Sequence, residues 1–197
     1  MRRTSLSVAA GLTAALLVAG SPAQAAVKAK DAPSQADITK AFPELAGGQF
    51  ATDKTKKVGV PGKSCGQNGT AKAKSAYSVS GASADGQVVA AGVGELKSSA
   101  TNKKYFKAYK KFVKDCASYT DPTTGATVTM QLGKAPKLGQ ETLMITQEIS
   151  FSGVTSYTAS VLVRHQKRMG SVLVIDDAPI SASGLEQLAK VTAKKMK

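Results

Sequence analysis

TLMITQEISFSGVTSYTASVLVRHQKRMGSVLVI, residues 142–175, is the stretch whose reading decides the fold. Three runs rich in apolar and β-branched residues, Thr142–Phe151, Thr155–Arg164 and Ser171–Ile175, are separated by Ser152-Gly153 and by Arg168-Met169-Gly170. Such runs suit a pleated, half-buried surface, and breaks of this length close hairpins, so the segment reads as antiparallel strands. Thr127–Leu132 precedes them as a fourth strand, after the chain breakers Asp121-Pro122 and Gly125.

Upstream of this meander, Asn102–Tyr119 has helical periodicity. Phe106, Tyr109, Val113 and Cys116 recur at spacings of three and four, while Lys103, Lys107, Lys110 and Lys114 repeat with that period on another face. Ala73–Ser80 and Val88–Leu96 read as a hairpin around Ala82–Gly86. Between Thr52 and Gly69, Lys54, Lys56, Lys57 and Lys63 gather with glycines and Cys65, which marks an exposed loop tethered by that cysteine, a poor strand candidate except around Val58–Val60. A short helix is expected with Asp37 capping its first amide groups, Ile38, Ala41 and Phe42 on one face, and its end at Pro43. The chain closes with a helix in which Ser183 and Glu186 form a capping box and Leu185, Leu188, Ala189, Thr192 and Met196 share one side. The expected fold is α+β: an antiparallel sheet of about five to six strands, two main helices packed on one face, and one disulfide.

The N-terminus carries a different signal. Arg2 and Arg3 precede an uncharged apolar run, Val8–Gly20, and Ala23-Gln24-Ala25 is the small-x-small pattern of a signal-peptidase site, which places cleavage between Ala25 and Ala26. The run has 13 residues, short of the ~20 needed to span a bilayer, so no stable membrane insertion is expected. The expected organisation is a signal peptide over 1–25, a flexible lead-in over 26–36, and a single α+β domain over 37–197.

Export sets the redox compartment. Cys65 and Cys116 are the chain's two cysteines, and in an oxidising environment they pair with each other. Neither Cys-x-x-Cys spacing nor a second histidine is present to complete a zinc shell, so neither a metal nor a cofactor is expected. The formal charge of +14 falls to +12 once Arg2 and Arg3 leave with the leader, and lysine carries almost all of it. That sign favours acidic partners. Outside the cell the expected partner is an anionic cell-surface polymer or a small molecule whose identity the sequence does not give, rather than nucleic acid.

Catalytic constellations are sparse. His165 could act as a general base, oriented by Asp176 or Asp177 and activating a serine, but no Gly-x-Ser-x-Gly context accompanies it. Arg164 and Arg168 could donate paired hydrogen bonds to a carboxylate or phosphate, and with His165 they form the candidate ligand site.

Lys114-Asp115-Cys116 late in the amphipathic helix, the Pro136-Lys137-Leu138-Gly139 turn, and the strands Ser160–Arg164 and Ser171–Ile175 together resemble the PknH-like extracellular sensor domain family of actinobacteria. The resemblance covers about the last hundred residues. It implies an α+β fold with a cleft and a sensor or ligand-binding role without catalysis. Family members attached to kinases usually hold two disulfides where this chain can form one.

The function expected from the sequence is therefore a secreted, non-enzymatic ligand-binding or sensor-like module at the bacterial cell surface. The alternatives are a secreted hydrolase using His165 and a Lys-rich wall-associated structural protein.

Overall fold

The near-continuous apolar runs Ser160–Val163 and Ser171–Val174 mark strands covered on both faces, because successive side chains of a strand point to opposite sides. The computed structural model, which describes residues 27–197, shows this arrangement. Its elements are α1 (Gln35–Ala41), β1 (Gln49–Pro61), β2 (Asn68–Ala82), β3 (Val88–Glu95), α2 (Ser99–Asp115), β4 (Ser118–Thr120), β5 (Thr127–Gly133), β6 (Glu141–Phe151), β7 (Val154–His165), β8 (Arg168–Asp176) and α3 (Ala182–Lys195). The proposed signal peptide and the Ala25–Ala26 cleavage site lie outside the described residues.

The strands form one antiparallel sheet in the order β1-β2-β3-β8-β7-β6-β5-β4. Two hairpin systems meet where β3 pairs with β8, with Val89 opposite Val174 and Ala91 opposite Val172. Val161, Val163, Val172 and Val174 face α1 and α3 and build one core with Ile38, Leu45, Leu185 and Leu188. Leu162, Met169, Leu143 and Ile145 face the other way and build a second core with Phe106, Tyr109, Phe112 and Val113 of α2.

This corrects the expected fold class on two counts. Among the described residues the sheet has eight strands rather than five or six, and the helices cover both of its faces rather than one. The two additional strands are its two edges. β1 runs through the lysine-rich stretch expected to be mostly loop, where Lys54, Lys56 and Lys57 are exposed and Val58 alone is buried, and a register shift interrupts its pairing between Thr55 and Lys57. Lysine and a bulge are what an edge strand needs to resist pairing with other chains, and both weaken the sequence signal of a strand. β4 has three residues, too few to show a period.

The β1–β2 hairpin is long, and its tip is fastened to the end of α2 by the Cys65–Cys116 disulfide, with Cα atoms 5.5 Å apart. Tyr109 of α2 donates a hydrogen bond to the Gly59 carbonyl, a second tie between helix and hairpin. Helix termini follow local chemistry. Ser34, rather than Asp37, caps α1, and Asp37 accepts from the Ser34 backbone in return. Ser98 caps α2 through the Thr101 amide, and α2 ends at Asp115, four residues before the expected limit. α3 begins at Ala182 with no side-chain cap, so the Ser183/Glu186 box does not form. Residues 27–34, read as a lead-in, contain a 3-10 turn, Ala29–Asp31, and bury Val27 and Ala32 against the α1/α3 core.

Candidate functional site

α3 lies across β7, β8 and β3. On that same face, β5 and β6 carry residues too polar to be covered by a helix. Strand register assembles them in two adjacent rows: Thr129, Glu148 and Tyr157 side by side, then Gln131, Thr146 and Ala159. The rows are about 7 Å apart along the strands and neighbours within a row about 5 Å apart, so the five polar side chains share one small patch. Pro179 and Ile180, from the segment joining β8 to α3, form a wall beside the patch, and Met144 supplies apolar surface toward the core. Together they enclose a cleft of about 450 Å³, within the range of small-molecule sites.

The chemistry of this cleft is uniform in one respect: among the described residues neither lysine nor arginine lines it. Its one charge is Glu148, which is exposed and makes no ion pair among the described residues. Met130, Gln147 and Thr158 also border it, but strand alternation sends their side chains to the α2 face. There Gln147 and Thr158 stand opposite each other, 3% and 2% exposed, and neither the Gln147 amide nor the Thr158 hydroxyl has a hydrogen-bond partner.

The residues singled out from the sequence sit at the other end of β7. His165 pairs with Arg168 across the β7–β8 hairpin, yet the arginines project to opposite faces. Arg164 bonds Glu141 at 3.0 Å on the α2 side, where Lys110 of α2 meets the same carboxylate at 2.7 Å. Arg168 reaches the Met196 carbonyl at the end of α3, on the opposite side. The sheet therefore separates the two guanidinium groups, and each is engaged by the protein. Burial works against the Glu141 charge, but Lys110 and Arg164 prevail and hold its carboxyl below the ordinary range. Asp176 lies eight residues along β8 from Arg168, the partner of His165, which is about 26 Å at strand rise. Neither it nor its neighbour Asp177 can orient that imidazole. Among the described residues no group of three or more His, Cys, Asp or Glu side chains could hold a metal.

The cleft itself was not found from sequence. Its residues come from three strands, and the alternation of Thr129, Gln131, Thr146 and Glu148 with buried neighbours reads as an ordinary solvent face until the position of α3 is known.

The lysines occupy other surfaces. Lys103, Lys104, Lys107, Lys110, Lys111 and Lys114 are all exposed on α2, whose one acidic residue is Asp115. No helix among the described residues is long and apolar enough to cross a membrane.

No family model and no curated protein matches this sequence. Among solved structures, the chain is similar to the extracellular domain of PknH from Mycobacterium tuberculosis, with a TM-score of 0.53 over 83% of this chain and 91% of that one, at 9% identity. The likeness expected from the Cys116 region, the Pro136–Gly139 turn and the two valine-rich strands thus holds at the level of the fold, which this chain shares with the PknH extracellular domain.

Proposed function

We propose that this chain is an exported, non-enzymatic binding module of sensor type, and that its ligand site is the cleft over β5, β6 and β7. The observation that carries the reading is the uncovered polar patch of Thr129, Gln131, Thr146, Glu148 and Tyr157, walled by Pro179 and Ile180. A sheet face left open beside a packed helix, with converging hydrogen-bonding groups and apolar walls, is what a small-molecule site requires. The fold shared with an extracellular domain, the leader sequence and the disulfide support a place outside the cell. In this reading the Arg164, His165 and Arg168 end of the hairpin serves as framework, anchoring α2 through Glu141 and α3 through Met196.

The test is a thermal-shift screen of wild type and Thr146→Trp, which fills the patch, against muropeptides, neutral oligosaccharides, lipids and anionic wall fragments. A ligand at a hundred times its Kd should stabilise wild type by about 2.7 kcal/mol and the variant by none. Equal stabilisation of both proteins moves the site elsewhere, and stabilisation of neither across the panel removes the reading.

A second reading, attachment to anionic wall polymers, is favoured by the six exposed lysines of α2. It requires release from cells by moderate salt, and retention at high salt would refute it.

A further inference from the structure

Resting on the cleft as the ligand site, we infer that its ligand is an uncharged saccharide, despite the strongly basic character of the chain. The chain has 27 Lys and Arg against 13 Asp and Glu, so a cleft built for an anion had abundant cations to recruit. It recruits none. The carboxylate at its centre, Glu148, would repel a phosphate or carboxylate ligand, and the remaining polar groups offer no charge to offset it.

What the patch offers instead is a dense set of neutral donors and acceptors. The hydroxyls of Thr129, Thr146 and Tyr157 donate and accept, the Gln131 amide does both through separate atoms, and the two oxygens of Glu148 accept together. A carboxylate with two free oxygens is complementary to a pair of vicinal hydroxyls, and bonds to the ionised acceptor are the strongest in such an array. Glu148 is available for this because no lysine or arginine is paired with it. Glu95 and Glu141, by contrast, each meet two cations. Pro179, Ile180, Met144 and Ala159 supply apolar surface beside the polar rows, as the alternating hydroxyl edge and C–H face of a sugar ring demand. A lone, solvent-facing carboxylate holds a free cation weakly, so the hydrogen-bond array rather than ion pairing selects the ligand.

The experiment is an amide-resolved NMR titration of the mature protein with glucose, N-acetylglucosamine and cellobiose, beside glucuronate, glucose 6-phosphate and glucosamine. Neutral sugars should shift resonances of β5, β6 and β7 around Thr129, Thr146 and Glu148, and the two anionic sugars should not. Glu148→Ala should weaken the neutral sugar at least tenfold while leaving the rest of the spectrum in place, which shows the variant folded. Glu148→Lys should lose the neutral sugar and gain the anionic ones. If glucuronate or glucose 6-phosphate binds the wild-type cleft as well as glucose, or if glucosamine alone binds, the cleft remains the site but the saccharide inference is overturned. If no sugar moves the cleft resonances the inference is likewise overturned, and the Thr146→Trp screen decides the site separately.

Discussion

Replacing Cys65 and Cys116 together with alanine should cost about 4 kcal/mol of stability. The bond closes a loop of sequence separation 51, and cross-linking a loop of that length removes unfolded-chain entropy equivalent to about 4 kcal/mol at room temperature. In a two-state domain of this size each kcal/mol moves Tm by about 2–4 °C, so the midpoint should fall by roughly 8–16 °C. Because the effect acts on the unfolded chain, the uncrosslinked protein should also expose more surface on unfolding and show a steeper urea dependence. Urea melts of wild type, the double variant and dithiothreitol-reduced wild type supply these quantities, and the reduced protein controls for the atoms removed from the buried Cys116 site.

Hydrogen exchange separates this account from its competitor. If the disulfide acts through the unfolded chain, amides of Gly69–Lys72, near the hairpin tip, should lose protection only in step with the global stability. Selective loss of protection there, with global stability within about 1 kcal/mol of wild type and an unchanged urea slope, would falsify the entropic argument. It would show instead that the bond acts as a local clamp holding the hairpin onto α2.

Three further outcomes follow from particular contacts. A Cβ at Gly184 would stand 2.6 Å from the Ala41 carbonyl oxygen and 2.9 Å from the Phe42 ring, so Gly184→Ala should push α1 off α3 and cost about 1–3 kcal/mol, read by urea melts. Thr158→Val, alone or with Gln147→Met, replaces buried polar groups that have no partner with apolar ones of similar shape, and should raise stability or leave it unchanged; a loss of 1 kcal/mol or more would show that these groups are satisfied in solution. Glu141 and Asp37 are both held below their ordinary pKa, burial being outweighed by Lys110 and Arg164 for the first and by Ser34 and Lys195 for the second. A depressed folded pKa contributes stability above the unfolded value, here 4.5 and 3.8, and loses it as pH falls through the folded value. Melting between pH 6 and pH 2.5 should therefore show a loss beginning below about pH 4.5 that is smaller in Glu141→Gln.

The central strands were legible from sequence because their side chains are buried, but only one of the two expected turns falls where it was placed. β7 and β8 are joined at Gln166-Lys167, with Gln166 at positive φ, while Arg168-Met169-Gly170, expected as the turn, pairs with Val163–His165 inside β8. Ser152 and Gly153 take positive φ, as the hairpin reading of that dipeptide required. The two edge strands were not legible, since exposure on one flank removes the burial that writes alternation into a sequence. The placement of α2 opposite α3 was written there but not read. Val161-Leu162-Val163 divides between the two cores residue by residue, and a strand with only one covered face would have carried a polar residue at position 162. The disulfide needed only a count of cysteines and a compartment, and it is present. The cleft needed the whole topology, because its three strands bring together residues as far apart as Thr129 and Tyr157.

Net charge was the least reliable guide to the site, and the architecture explains why. The lysine-rich flank of α2 lies beyond one face of the sheet, while the cleft opens on the other. A helix with its side chains is about 10–12 Å across, so the outward lysines stand more than a helix diameter from the cleft floor. The Debye length at physiological salt is about 8 Å, and at that separation their field is largely screened. The two surfaces can then work independently: a polyanion held along α2 would neither fill the cleft nor alter the charge that its ligand meets. Reversing Lys103, Lys107 and Lys114 to glutamate should abolish salt-sensitive retention on an anionic polymer and leave ligand affinity at the cleft within about twofold. A parallel loss of both would mean that the chain has one composite site, with the lysines reaching the ligand around the β5 edge.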